Sequence, residues 1–133
     1  MRIFTLLPFA ALAACTASAG GGVETSAAEE AALGEALAGR TAGQAVSCVR
    51  QQDLRNSRGA GPSAILFDGP GGVVYVNKTL SSCPRIQPWH AIRHRTSQTA
   101  MCTGELIQVF DPQTGVNYGG CSLGEFTPYR RGS

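Results

Sequence analysis

Lysine is almost missing from this chain: Lys78 stands alone, and the other ten of its eleven basic residues are arginines. Nine acidic residues bring the net charge to only +2, which gives little long-range steering toward a charged partner. No dense basic stripe is interleaved with aromatics, so nucleic acid is excluded as a partner. Arginine beside abundant Ala and Gly reads more simply as the mark of a GC-rich genome than as a polyanion-binding device. A membrane-crossing run is lacking as well. Ile3 to Ala14 is uncharged and mostly apolar, but too short for the roughly 20 residues that a spanning helix needs. No Cys-x-x-Cys pair is present, which removes zinc knuckles and thioredoxin-like redox chemistry. No serine lies in a Gly-x-Ser-x-Gly context, and no internal repeat is visible.

What is present is most informative at the N-terminus. Arg2 followed by the Ile3 to Ala14 run fits the basic and apolar regions of a secretory signal. The run ends Leu12-Ala13-Ala14-Cys15, which resembles the bacterial lipobox. Small residues let the peptidase take the extended backbone, and the Cys15 thiol carries the thioether-linked diacylglycerol. Ordinary secretion, with cleavage after Ala17-Ser18-Ala19, is the plainer alternative. Cysteine arithmetic favours the lipid. Five cysteines are an odd number for an exported protein, and assigning Cys15 to the lipid leaves Cys48, Cys83, Cys102 and Cys121 for two disulfides.

The chain is long enough for one domain. Residues 1–14 are expected to be the signal peptide and 15–44 a lipidated tether. Thr25 or Ser26 can cap a short helix within Glu24 to Gly39, with Glu29 and Glu30 near its positive end. Residues 45–129 are expected to form a small, mainly β domain, an antiparallel meander or partly closed barrel, with 130–133 as a tail. Strands are predicted at Ala45–Arg50, Ala64–Phe67, Gly72–Leu80, Glu105–Asp111 and Val116–Cys121. Residues 51–63 and the long excursion 81–99 are predicted to be loops. Asp68-Gly69-Pro70-Gly71 and Pro112-Gln113-Thr114-Gly115 supply the turns.

A core of this size is marginal without staples. Four cysteines permit three pairings. Cys83 and Cys102 flank one excursion, whereas Cys102 and Cys121 sit asymmetrically about the Pro112–Gly115 turn. That geometry favours nested bridges, Cys83–Cys102 and Cys48–Cys121, with loop-closure contributions of roughly 3 and about 4.5 kcal/mol.

The order Cys48-Val49, Val74-Tyr75-Val76-Asn77, Ser82-Cys83-Pro84, Met101-Cys102, Glu105-Leu106-Ile107 and Cys121-Ser122-Leu123-Gly124-Glu125-Phe126 resembles an uncharacterised family of small exported proteobacterial proteins of unknown function. The resemblance covers roughly residues 44 to 129, with Glu105 where that family has Asp. It implies domain limits and leaves function open.

Candidate chemistry is sparse. His90 and His94 share one face if Pro88 starts a helical turn, but zinc needs three or four ligands and there is no third histidine. Ala91 stands where a metalloprotease needs Glu, and Arg93 and Arg95 would repel a cation. Trp89 and Ile92 are expected to pack inward. Asp68 and Asp111 are expected to serve turns, and Glu105 and Glu125 to face solvent. Arg85, Arg93 and Arg95, with Arg130 and Arg131, read as a solvated face, with a patch for anionic envelope polymers or headgroups as the alternative. The expectation is therefore an exported lipoprotein on the periplasmic side of the outer membrane, joined to the membrane through Cys15, with no metal or cofactor. It would bind an envelope component. An inhibitor of a cell-wall hydrolase, or a small envelope hydrolase, are the alternatives.

Overall fold

The computed structural model describes residues 26–84 and 86–132. Ser26 starts the helix α1 (Ala27–Ala36): its hydroxyl accepts the Glu29 amide at 3.1 Å, satisfying one of the four orphan donors of a helix start. The strands are β1 (Arg40–Ala42), β2 (Cys48–Arg50), β3 (Ser57–Gly61), β4 (Ala64–Asp68), β5 (Val74–Lys78), β6 (Ala91–Arg93), β7 (Ala100–Cys102), β8 (Leu106–Phe110), β9 (Asn117–Ser122) and β10 (Phe126–Arg131). They form three antiparallel sheets, ordered β1-β10-β5-β4-β3, β2-β7 and β6-β8-β9. The fold is mainly β, as the sequence indicates, but the sheets do not close into a barrel. Only β3-β4-β5 runs as a meander.

Strand β4 shows why the sheets stack. Ala64, Ile65, Leu66 and Phe67 are all buried, so both faces of the strand are covered. Ile65 and Phe67 point into the larger core with Ile107, Val109, Leu123 and Phe126. Leu66 and Ala64 face the other way, with Val74 and Val76, against Ala32, Leu33 and Ala36 of α1 and the Leu37 that follows it. A strand buried on both sides reads as a continuous apolar run, which is how it stands in the sequence.

Two polar clasps hold the layers. Asn77, fully buried on β5, donates its amide to the Gly124 carbonyl at 2.9 Å and accepts the Gly124 N–H at 2.9 Å. The Thr103 hydroxyl adds a 3.0 Å bond to the same carbonyl. Val74-Tyr75-Val76-Asn77 and the Cys121–Phe126 run thus meet at one lock. The second clasp is Glu29. Its carboxylate is 0 % exposed, accepts the Ser63 amide (2.8 Å) and hydroxyl (2.7 Å), and meets the Lys78 ammonium at 3.0 Å. A Cβ on Gly61 would lie 2.4 Å from that carboxylate, so only glycine there admits it. Burial pushes the Glu29 pKa up, but the Ser63 bonds and Lys78 outweigh it and hold the group below its ordinary value.

The segment expected as tether therefore contributes α1 and β1 to the fold, because Glu29 and the apolar face of α1 dock onto the sheet and β1 pairs with β10. Arg130 and Arg131, expected in a tail, belong to β10, opposite Thr41 and Arg40. The loop expected over 51–63 contains β3, and the excursion contains β6. The signal segment and Cys15 lie outside the described residues.

The nested pairing is corrected. The bridges are Cys48–Cys102 and Cys83–Cys121, interleaved along the chain. Residues 100–102 do not return beside Cys83; they form β7 and pair with β2, which puts Cys48 directly opposite Cys102. Cys83 is anchored beside β3 by its amide bond to the Pro62 carbonyl, and there it reaches the inward-facing Cys121 of β9. Sequence separations of 54 and 38 give each bridge, taken alone, about 4 kcal/mol of loop-closure stabilisation. Their access differs sharply: Cys48 is exposed, whereas Cys83 and Cys121 are buried. Peptide mapping without reductant should recover the 48–102 and 83–121 links. A mild thiol under native conditions should open Cys48–Cys102 first, since attack needs access to sulfur. Recovery of an 83–102 or 48–121 peptide would refute this arrangement.

Candidate functional site

The three sheets meet around a bowl of about 340 Å³. Its floor is apolar: Phe67 from β4, Met101 from β7, Ile92 from β6, and Leu54. Its rim is three consecutive polar residues, Arg55, Asn56 and Ser57. His94 forms one wall. Strand pairing explains the placement, since Ser57 lies opposite Phe67 and both point to the same side of the sheet. The amide of Arg55 donates to the Asp68 carbonyl (2.8 Å), which continues the β3–β4 pairing and fixes the rim.

The His94 side chain is only 8 % exposed and sits 3.3 Å from Glu105 through Nε2, while Nδ1 lies 3.2 Å from the Gln51 amide nitrogen. Both ring nitrogens therefore have a partner within the chain. Glu105 is not a solvent-facing carboxylate as expected. Its other oxygen accepts the Cys102 amide, so it ties His94 to β7 next to the outer bridge. Glu125 is exposed.

His90 lies elsewhere in function. Ala91–Arg93 is a strand, not a helical turn, so the four-residue spacing does not stack the two imidazoles on a helix face. The ring of His90 is buried, accepts the Gln87 amide through Nδ1 at 3.3 Å, and stacks 4.8 Å from Tyr118. Its own amide donates back to the Gln87 carbonyl at 3.0 Å, closing a tight turn. Trp89 rides on that turn, edge-on to His90 at 5.6 Å. Contrary to the inward packing expected, its side chain is 67 % exposed, while Ile92 packs against the core. No helix among the described residues is long and apolar enough to cross a membrane. Among the described residues no group of three His, Cys, Asp or Glu side chains is arranged to hold a metal.

The carboxylates expected in turns behave as structural groups. Asp111 accepts the Gln113 amide at 2.8 Å and the Thr114 amide at 3.4 Å, and these bonds hold its pKa below the usual range. Asp68 pairs with Arg58 at 2.8 Å. Arg93 lies over the Phe110 ring at 4.7 Å, and Arg130 and Arg131 join Arg40 at the β1–β10 edge. Arg85 lies outside the described residues.

The bowl was missed in the sequence because its rim reads as polar loop and its floor comes from four separate segments. Trp89 was misplaced because a lone tryptophan beside Ile92 looks like core. No family model, curated protein or solved structure matches the chain.

Proposed function

We propose that the chain is an exported lipoprotein, acylated on Cys15 and held at the periplasmic side of the outer membrane, whose disulfide-bonded domain binds another envelope component. The Leu-Ala-Ala-Cys ending supports the anchor. So does the pairing of the other four cysteines, which leaves Cys15 as the odd thiol. Disulfides suit an oxidising compartment.

The observation that carries binding over catalysis is Trp89. A tryptophan left in water on a turn clamped by two Gln87–His90 bonds is a large, rigid, amphipathic contact, the kind of residue that dominates interface energies. Of the groups that sequence reasoning offered for catalysis, by contrast, His90, His94 and Glu105 are engaged in internal bonds, and Glu125 is an isolated exposed carboxylate among the described residues. The same clamped, protruding turn supports a second reading, insertion into the cleft of a cell-wall hydrolase as an inhibitor.

A photoreactive residue placed at position 89 in live cells tests both. Discrete adducts with envelope proteins are expected from position 89 and not from exposed Ala31 on α1. A cell-wall hydrolase among them selects the inhibitor reading. No adduct at 89, or the same adducts from both positions, removes the binding reading. In the same cells an acyl probe should label the wild type and not Cys15→Ser; labelling that survives would remove the anchor.

A further inference from the structure

We propose that the bowl at the junction of the three sheets binds a small carboxylate carried on an apolar body, with Arg55 as the residue that receives the charge. The site uses no residue of the Trp89–His90–Tyr118 stack, so it goes beyond the reading above and stands independently of it.

Asp53 is taken by Arg50 at 2.8 Å, Asp68 by Arg58 at 2.8 Å, and Glu105 by His94 at 3.3 Å. Every carboxylate in the neighbourhood thus has a basic partner other than Arg55. Among the described residues no carboxylate lies within 4.0 Å of Arg55. Nor do the side chains of Asn56 and Ser57 hydrogen-bond within the described residues, so the whole rim keeps its donors for something outside the chain. The rim's backbone is nonetheless fixed, because the Arg55 amide is tied to the Asp68 carbonyl and the Asp68 amide to the Asn56 carbonyl at 3.2 Å.

The floor decides the rest of the ligand. Phe67 and Met101 are nearly buried, and Leu54 and Ile92 pack against the same core, so the surface below Arg55 offers no polar partner. His94 forms one wall, with its ring nitrogens partnered by Gln51 and Glu105. One planar guanidinium over an apolar floor matches a single carboxylate, which it can grip with two parallel bonds. A phosphate dianion would need a second free cation, and Arg50 and Arg58 are already neutralised. A neutral apolar molecule would shield Arg55 from water with nothing in return. The volume sits at the small end of ligand sites and limits the body to a ring or short chain.

Met101 provides the test, because the chain has only one other methionine, Met1. The full-length protein labelled with ¹³C at the methionine methyls is titrated with benzoate and, separately, with benzamide, its uncharged counterpart. Benzoate is expected to shift the Met101 methyl saturably, and Arg55→Gln to weaken that binding at least about tenfold. Benzamide should bind the wild type about as poorly as benzoate binds the variant. An unchanged Met101 signal in ligand-free Arg55→Gln certifies that the variant is folded. A shift that never saturates, equal affinity for benzoate and benzamide, or equal benzoate affinity in wild type and variant would each overturn the proposal. None of these results depends on whether position 89 captures a partner.

Discussion

Gly124→Ala is expected to cost about 4 kcal/mol or more, close to the whole stability of a domain this small. A Cβ at position 124 would fall 1.8 Å from the Lys78 carbonyl oxygen and 3.1 Å from its carbon. The obstacle is backbone, not the end of a flexible side chain. It also lies next to Asn77, whose amide makes both of its bonds to Gly124. Moving residue 124 away breaks that pair and leaves a fully buried Asn without partners, which adds a desolvation penalty to the clash. Leu123 and Phe126, both 0 % exposed, would be dragged with it. Gly34→Ala is the matched control. It lies in the exposed interior of α1 with no atom within 4 Å of an added Cβ, so it should stabilise by up to about 1 kcal/mol. Urea denaturation under oxidising conditions checks both. A Gly124→Ala protein with a near-normal midpoint would refute the lock.

The second large effect belongs to Glu29. Replacing it with Gln leaves an NH₂ group facing donors where a carboxylate oxygen now accepts, and removes the charge that Lys78 meets. Lys78 is 48 % exposed and regains water, so its share is small. The loss comes mainly from the two Ser63 donors, which are buried. About 2–3 kcal/mol at neutral pH is expected. The pH dependence follows from the folded pKa lying below the ordinary value of 4.5. A depressed carboxyl stabilises fully above the unfolded value and loses that contribution as pH falls through the folded one. The gap between wild type and Glu29→Gln should therefore be constant from neutral pH to about 5 and shrink below that. Asp111 is shifted in the same sense, but it is present in both proteins and cancels in the difference. Hydrogen exchange should show α1 opening first in the variant. A gap that persists unchanged to pH 2 would show that the carboxylate charge is not what holds the helix.

Much of the fold was readable where one segment carries its own signal. The apolar run of β4, the turn at Asp68–Gly71 and the Asp111 turn are each local, and each stands where the sequence places it. What was hidden depends on partners far away in the chain. Ser-Arg-Gly-Ala-Gly does not look like a strand, yet β3 forms there. Its small residues serve close approach, with Ile86 and Gln87 pressed against Gly59 and Glu29 against Gly61. Glu29 looks like an ordinary charge favouring a helix N-terminus until Ser63, 34 residues on, turns it into a buried anchor. The cysteine pairing failed for the same reason. Local reasoning assumed that Cys102 returns beside Cys83, and the short β7 went to β2 instead. The bowl shows the effect most strongly: no stretch of sequence contains it.

The crossing of the two bridges has a consequence for how the protein is made. A chain threaded N-terminus first into an oxidising space presents Cys48 and Cys83 before Cys102 and Cys121. An oxidant that joins thiols in order of arrival links Cys48 to Cys83, a pair absent from the finished fold. Neither native bridge can form until that link is broken by a third thiolate, and uncatalysed exchange of this kind takes minutes to hours. A domain oxidised in that order would depend on a disulfide isomerase, not merely on an oxidase. A compartment that makes disulfides but cannot rearrange them would accumulate it scrambled.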